Sequence, residues 1–252
     1  MEYIVVKMGG SLLSPHKELV DENVVKGYVG AITGLFKEKK DVPRLVLVVG
    51  GGGLSRKYRD ISQACGGETE IDQHRIGITA TWLNAELIRS LLGEIAFQNV
   101  LGVGVYAENR QEAEKMMAND FERWLKGDKP VLVTGGFING ASTDFNAVLL
   151  ASKIGVDRFY KLTDVDHVYT SDPKKDMSAK PFEDISWVEL FRLFDVSFDE
   201  PTHAPSAHIP VDLFAARLAH DNQIGCFLAD GRDPSAITNI YNNTLKVGTF
   251  IH

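Results

Sequence analysis

Residues 134–176, TGGFINGASTDFNAVLLASKIGVDRFYKLTDVDHVYTSDPKKD, constrain the fold more than any other stretch. A short apolar strand ends in Gly135-Gly136. Ser142-Thr143-Asp144 are residue types that begin helices, and Gly155 is suited to end one. Arg158–Leu162 reads as a second strand. Strand, helix and strand in this order form a βαβ unit, which makes the two strands parallel. The second strand runs into an acidic loop, Asp164-Val165-Asp166, and then into residues 172–176. Polar loops at the carboxyl ends of parallel strands are where such sheets hold ligands.

The rest of the chain repeats the alternation. Tyr3–Met8 is an apolar run holding one lysine, Lys7, and it feeds Gly9-Gly10-Ser11. Asp21 caps a predicted helix whose Val24, Val25, Tyr28, Ile32, Leu35 and Phe36 recur at helical spacing. Arg44–Val49 is almost wholly aliphatic, as a strand covered on both faces requires, and it runs into Gly50–Gly53. A helix carrying Arg56, Lys57 and Arg59 follows, and Gly66-Gly67 breaks the chain. The pattern then predicts a long helix over 76–92, a strand over 100–106, a helix over 108–126 and a strand over 130–133. Met116, Met117, Phe121 and Trp124 read as core contacts of the second of these helices. Beyond residue 176, Ser186 caps a helix over 187–194, and helices over 211–220 and 233–241 alternate with strands over 225–228 and 247–251. This pattern predicts an α/β fold: a three-layer α/β/α sandwich with a mainly parallel central sheet. With no Ser/Gly-rich linker and no repeat, residues 1–252 read as one unit whose halves meet around 130–142.

Composition narrows the class. A net charge of −7 removes any general electrostatic case for nucleic-acid binding. No apolar run approaches the ~18 residues that span a bilayer. Cys65 and Cys226 stand alone, without a partner at metal-ligand spacing, which suits a reducing compartment. The expectation is a cytoplasmic protein with no membrane partner.

Four motifs carry chemistry. Lys7-Met8-Gly9-Gly10-Ser11 sets a cation before glycines whose bare N–H groups can approach phosphate oxygens. Gly50–Gly53 exceeds what a turn needs, stands before a helix N-terminus, and is followed by the fork of Arg56. Ser142-Thr143-Asp144 suits both capping and anion binding. The loop over 164–176 mixes acids with Lys174 and Lys175, just after Lys161, which suits a metal-nucleotide. The chain has neither a G-x-x-x-x-G-K-[ST] loop nor a helix-opening G-x-G-x-x-G, so it is neither a P-loop enzyme nor an ordinary dinucleotide fold.

Together these motifs resemble the amino acid kinase superfamily and, within it, the bacterial and archaeal uridylate kinases. The likeness rests on KMGGS at 7–11, GGGGLSR at 50–56, RIGITATWLNAEL at 75–87, STD at 142–144, LTDVDHVYTSDPKKD at 162–176, PVDLFAA at 210–216 and VGTFI at 247–251. It implies transfer of the ATP γ-phosphoryl group to a nucleoside monophosphate, UMP above others, with Mg²⁺ carried by ATP and no metal held by protein ligands alone. It implies that Lys7, Gly9, Gly10 and Ser11 hold the donor phosphates, and that Lys161, Thr163, Asp166, Tyr169 and Asp172 face ATP. Lys7, Asp144 and Lys161 become the catalytic residues, with Asp144 positioning the lysines. Gly51, Gly52, Arg56, Gly136 and Thr143 surround the acceptor. The acceptor half is about 1–140 and the ATP half about 141–252. The resemblance also implies a homo-oligomer, a hexamer, with the helix over 76–92 as a candidate interface.

The chain departs from the family pattern at three positions. His74 stands where an aspartate usually meets the acceptor ribose, with Asp72 two residues earlier as a substitute. Asp164 replaces an asparagine or lysine, and His167 a glycine. These departures keep two other readings open: a kinase of another small phosphorylated or carboxylated acceptor, and a non-catalytic binder of nucleotides or anions akin to molybdenum storage proteins. His203 and His208, five residues apart before Pro210, read as surface residues.

Overall fold

The structure, a computed structural model, describes residues 2–14, 19–38, 42–67, 69–198 and 209–252. The strands are β1 (Tyr3–Met8), β2 (Arg44–Val49), β3 (Val131–Thr134), β4 (Arg158–Thr163), β5 (Val168–Tyr169), β6 (Pro181–Phe182), β7 (Asp184–Ile185), β8 (Gly225–Asp230) and β9 (Thr249–Ile251). The helices are α1 (Gly10–Leu13), α2 (Glu22–Glu38), α3 (Gly52–Ala64), α4 (Glu70–Leu92), α5 (Arg110–Lys126), α6 (Thr143–Ile154), α7 (Trp187–Leu193), α8 (Leu213–Asp221) and α9 (Ser235–Tyr241). Seven strands form one sheet in the order β3-β2-β1-β4-β8-β9-β7. The first five of that order run parallel, and β9 lies antiparallel to β8. β5 and β6 make a separate antiparallel ribbon.

Alternation along each strand divides the core into two layers. Val5, Val46, Val48, Leu132 and Phe159 face one side, against residues of α5, α6, α7 and α8. Ile4, Val6, Met8, Leu45, Leu47, Val49 and Leu162 face the other, against α2, α4 and α9. Both faces of β1 and β2 are covered, which explains their unbroken apolar sequence. The result is the expected three-layer sandwich around a mostly parallel sheet.

Caps fix where the helices begin. The Asp21 carboxylate accepts the N–H groups of Asn23 and Val24 at 2.8 and 3.3 Å, as read from the sequence. Ser186 and Glu189 form a reciprocal capping box on α7. Helix α4 starts at Glu70, six residues before the apolar periodicity becomes visible, because Thr69 caps the N–H of Asp72. Helix α8 starts after Asp212, which accepts from the Ala215 N–H at 3.0 Å.

One predicted element is absent. Residues 100–106 do not form a strand. This segment meets the sheet edge only at isolated parallel bridges, Leu101 with Thr134 and Ala107 with Ile138. Gly102 and Gly104, at φ 84° and 80°, turn the backbone out of an extended path. The two-residue strands β5, β6 and β7 are too short to leave a periodic trace. Pro201, His203, Pro205 and His208 lie outside the described residues. Among the described residues no helix is long and apolar enough to cross a membrane.

Phe159 is fully buried in β4 beneath α6 and α8. Phe159→Ala is expected to cost ~3–5 kcal/mol of stability, read as a lower urea midpoint at unchanged slope. A loss below ~1 kcal/mol would contradict the packing described.

Candidate active site

The strand order itself selects a location. From β1 the chain winds outward through β2 to β3, then returns to place β4 on the other side of β1. The carboxyl ends of β1 and β4 therefore flank a topological switch point, the crevice where open α/β sheets take ligands.

Lys7 and Lys161 are register partners across that boundary. Both sit on the sheet face that carries α6, and both are buried, at 8% and 7% exposure. Two like charges directly opposed on adjacent strands repel one another. Asp144, in the first turn of α6, sits between them. Its Oδ1 lies 3.0 Å from Lys7 Nζ, and its Oδ2 accepts from Lys161 Nζ at 2.5 Å. Lys161 also donates to the Pro210 carbonyl. Burial lowers the pKa of Lys7, with the nearby Lys161 charge adding to the effect against the pull of Asp144. Burial alone would raise the Asp144 carboxyl, but the charges of Lys161 and Lys7 outweigh it and hold the group below its ordinary value.

Asp144 is held from both ends. Its N–H donates to the Ser142 hydroxyl at 2.9 Å. That hydroxyl in turn bonds to Asp212, the cap of α8. Burial and the nearby Asp144 charge raise the Asp212 pKa. Asp212 is a site-lining residue that sequence reasoning passed over. The signal was present in PVDLFAA, where an aspartate precedes an apolar run as a cap would.

The glycine loops interlock through their backbones. A Cβ on Gly10 would lie 2.1 Å from the Gly52 nitrogen, and one on Gly50 would lie 2.6 Å from the Gly10 nitrogen. Gly52 has φ +59°, and a Cβ there would lie 2.4 Å from the Gly10 carbonyl oxygen. The Gly9 N–H is fastened to the Leu162 carbonyl at 2.8 Å, and that of Gly50 to the Met8 carbonyl at 3.1 Å. Close approach of two main chains, and not a flexible turn, accounts for the glycine run. Asn84 of α4 steadies the second loop by donating to the Gly50 and Gly51 carbonyls at 2.9 and 3.2 Å.

Helices α3 and α4 pack against each other just beyond these loops. Ser55 faces Gly51 and Gly77, and Gly77 also faces Arg59. Arg56 is exposed at the start of α3. His74, one turn before Gly77, approaches the turn at Gly140, where a Cβ would lie 3.7 Å from the His74 ring. Asp72 is placed differently: it is exposed and bonds to Thr69 at the helix start, away from the Gly140 turn. Gly136 is pinned to α4, its N–H to Thr81 Oγ1 at 2.6 Å and its carbonyl to Trp82 Nε1 at 2.7 Å. Thr143 begins α6 beside Ser142 and Asp144.

On the far side of β1, Ser11 donates to Asp164 at 3.1 Å, and Thr163 donates to the same oxygen at 3.2 Å. Tyr169 donates to Asp166 at 3.1 Å. His167 Nδ1 lies 3.4 Å from Asp166. Among the described residues only Asp195, Gln223 and Asn243 are non-glycine residues with positive φ, so His167 stands where glycine is usual without backbone strain. Asp172 is exposed and caps the turn to Lys174. It lies beyond the β5–β6 ribbon's first strand, outside the lysine cluster. Asp166 is held below the ordinary carboxylate range: burial opposes this, and bonds from Tyr169 and from the backbone prevail.

This sheet, with lysines opposed at its switch point and glycine loops interlocked beside them, defines a kinase-type α/β/α protein. Residues 2–230 match the model of the Amino acid kinase family, and the chain belongs to that family. It is 32% identical over 251 residues to a uridylate kinase of Methanospirillum hungatei, covering 100% of this chain and 93% of that one. It is 32% identical over 246 residues to a uridylate kinase of Natronomonas pharaonis, covering 98% and 96%. The crystal structure of uridylate kinase from Archaeoglobus fulgidus superposes with a TM-score of 0.73 at 29% identity, covering 99% of this chain and 100% of the other.

Replacing one lysine and replacing the aspartate should have opposite consequences for stability. Lys7→Met removes a repulsive buried charge and is expected to leave the melting midpoint unchanged or raised. Asp144→Ala strands two buried cations and is expected to cost ~3–5 kcal/mol. Equal destabilisation by both in calorimetry would contradict the shared-carboxylate arrangement.

Proposed function

We propose that this chain transfers the γ-phosphoryl group of ATP to UMP, yielding ADP and UDP. The observation that carries the reading is the Lys7–Asp144–Lys161 cluster at the switch point, between two backbone loops able to approach phosphates. Its likeness to uridylate kinases over the full chain supports UMP as the acceptor.

In this reading an oxygen of the UMP phosphate attacks the γ-phosphorus, and the bond to the ADP oxygen breaks. Phosphoryl transfer asks the protein for positioning and charge neutralisation more than for covalent chemistry. Lys7 and Lys161 neutralise the charge on the transferred group, and Asp144 keeps both aimed at it. Gly9, Gly10 and Ser11 hold the donor phosphates. Thr163, Asp166, Tyr169 and Asp172 line the ATP side. Gly51, Gly52 and Arg56 receive the acceptor phosphate, and Gly136, Thr143 and His74 surround the nucleoside. Asp72, tied to Thr69, fits this role less well than His74. Within one unit, residues about 1–140 supply most of the acceptor side and about 141–252 most of the ATP side, with Gly9, Gly10 and Ser11 reaching the donor and Thr143 the acceptor.

Magnesium suits this donor set as a companion of ATP. Among the described residues no group of three or more His, Cys, Asp or Glu side chains could cage an ion. Mg²⁺ characteristically binds through substrate phosphates and one or two carboxylates. Asp164, next to Ser11, is the carboxylate that would face it, and the ion would screen phosphate charge. A purely binding or storage role is less favoured, because the relatives matched over the full chain are uridylate kinases.

An exposed apolar stripe on α4 supports a homo-oligomer. Leu83, Leu87 and Leu91, at 62%, 39% and 52% exposure, form a stripe at four-residue spacing along its outer side. A second copy of the chain, meeting the same helix about a two-fold axis, would cover it. Leu87→Glu is expected to lower the sedimenting mass of the protein, and an unchanged mass would exclude this face.

The catalytic reading has a pH signature. Lys7 must be protonated to neutralise phosphate charge, and burial lowers its pKa from 10.5. The rate is therefore expected to fall on an alkaline limb that begins below the ordinary lysine range. Lys7→Arg, which stays charged, should abolish the limb, while Lys7→Ala should lower kcat by ~10²–10³. UMP turnover that survives in Lys7→Ala would sink the assignment.

A further inference from the structure

We infer that Arg59 is a second anion-holding residue of the acceptor site, acting with Arg56 on the phosphate of the nucleoside monophosphate. The inference rests on the kinase reading and adds a binding residue to it.

Arg59 lies on the second turn of α3, one turn after Ser55 and three residues after Arg56. Residues at these spacings are neighbours on a helix surface. Its stem packs toward α4, where a Cβ on Gly77 would lie 3.9 Å from Arg59 Cδ. Ser55 lies over the same glycine, 3.4 Å from that Cβ position, and 3.3 Å from the corresponding position on Gly51. Gly51, Ser55, Gly77 and Arg59 thus form one continuous run of contacts from the glycine loop outward along the α3–α4 seam. His74 stands on α4, one turn before Gly77, against the Gly140 turn.

The guanidinium in this run is unmatched. Arg59 Nε is buried and has no hydrogen-bond partner among the described residues. Arg89, Arg110, Arg123, Arg158 and Arg232 pair with carboxylates, and Arg44 and Arg75 lie over the rings of Trp124 and Tyr106. Neither Arg56 nor Arg59 takes part in a described salt bridge. Burial of Nε holds the guanidinium against α4, and its terminal nitrogens, without a hydrogen bond among the described residues, are left to meet a ligand oxygen. A planar guanidinium suits a phosphate oxygen pair, and two of them on one helix face suit a dianionic monoester.

The test is steady-state kinetics with UMP as the varied substrate at saturating Mg·ATP. Arg59→Gln is expected to raise KM for UMP about tenfold, with kcat and the KM for ATP within about twofold. Arg59→Lys keeps the charge and loses the fork, so its KM should fall between the two. A KM for UMP within about twofold of the native value in Arg59→Gln would overturn the assignment. Should Arg59→Gln fail to fold, Arg59→Lys decides: a KM within about 1.5-fold of native overturns it. Thermal unfolding with added inorganic phosphate separates this inference from the kinase reading. Phosphate should raise the midpoint of the native protein more than that of either variant, whether or not UMP is turned over. Equal shifts in all three would overturn the role of Arg59, whereas absent UMP turnover with unequal shifts would overturn only the acceptor.

Discussion

A single carboxylate shared by two lysines holds this architecture to its function. Lys7 and Lys161 face each other in register on neighbouring parallel strands, an arrangement that repels unless a negative charge lies between them. Asp144 supplies that charge from a different element. For it to arrive, α6 must begin above the boundary of β1 and β4, and the crossover from β3 to β4 must pass over β1. The sheet order, the Ser142 cap and the Asp212 strut beneath α8 all serve that placement. Replacing the cluster with apolar residues would cost little stability, because a buried ion pair rarely repays its desolvation. Its place at the switch point is therefore better explained by chemistry than by folding.

The glycine loops are the second constraint, and they follow from the first. Strands β1 and β2 are adjacent and end at the same level, so the chain leaves both at once. With Gly10 and Gly52 in place, the two backbones touch beside the carboxyl end of β1. Any side chain at Gly10 would meet the Gly52 main chain. The site thus sets three buried charges beside two tightly apposed glycine loops, a set suited to phosphate charge.

Much of this was legible in the sequence, for identifiable reasons. The βαβ unit, the two-sided strands β1 and β2, the caps at Asp21, Ser142 and Ser186, and the glycine loops leave local signals, and the structure has them where they were expected. Lys7, Asp144 and Lys161 were singled out as a set, and they do meet. Their mutual geometry was not readable, since register between strands some 150 residues apart leaves no local trace. The supposed strand over 100–106 failed because Gly102 and Gly104 outweigh its β-branched residues. Asp212 was overlooked because its cap looks ordinary until Ser142 is seen against it. Asp72 reads as a stand-in for the residue facing the acceptor; in the structure it bonds to Thr69 at the helix start, and His74 lies against the Gly140 turn. Arg59 carried no motif at all; only its unmatched buried nitrogen draws notice.

The most direct test of the account is a crystal structure of the protein with UMP, Mg²⁺ and a non-hydrolysable ATP analogue. The account predicts that the Nζ atoms of Lys7 and Lys161 both contact the terminal phosphate of the analogue, with Asp144 still between them. The phosphate of UMP should lie in line with that group, beside Gly51 and Gly52. Nucleotides bound away from the carboxyl ends of β1 and β4, or lysines that part from Asp144 and point elsewhere, would contradict it.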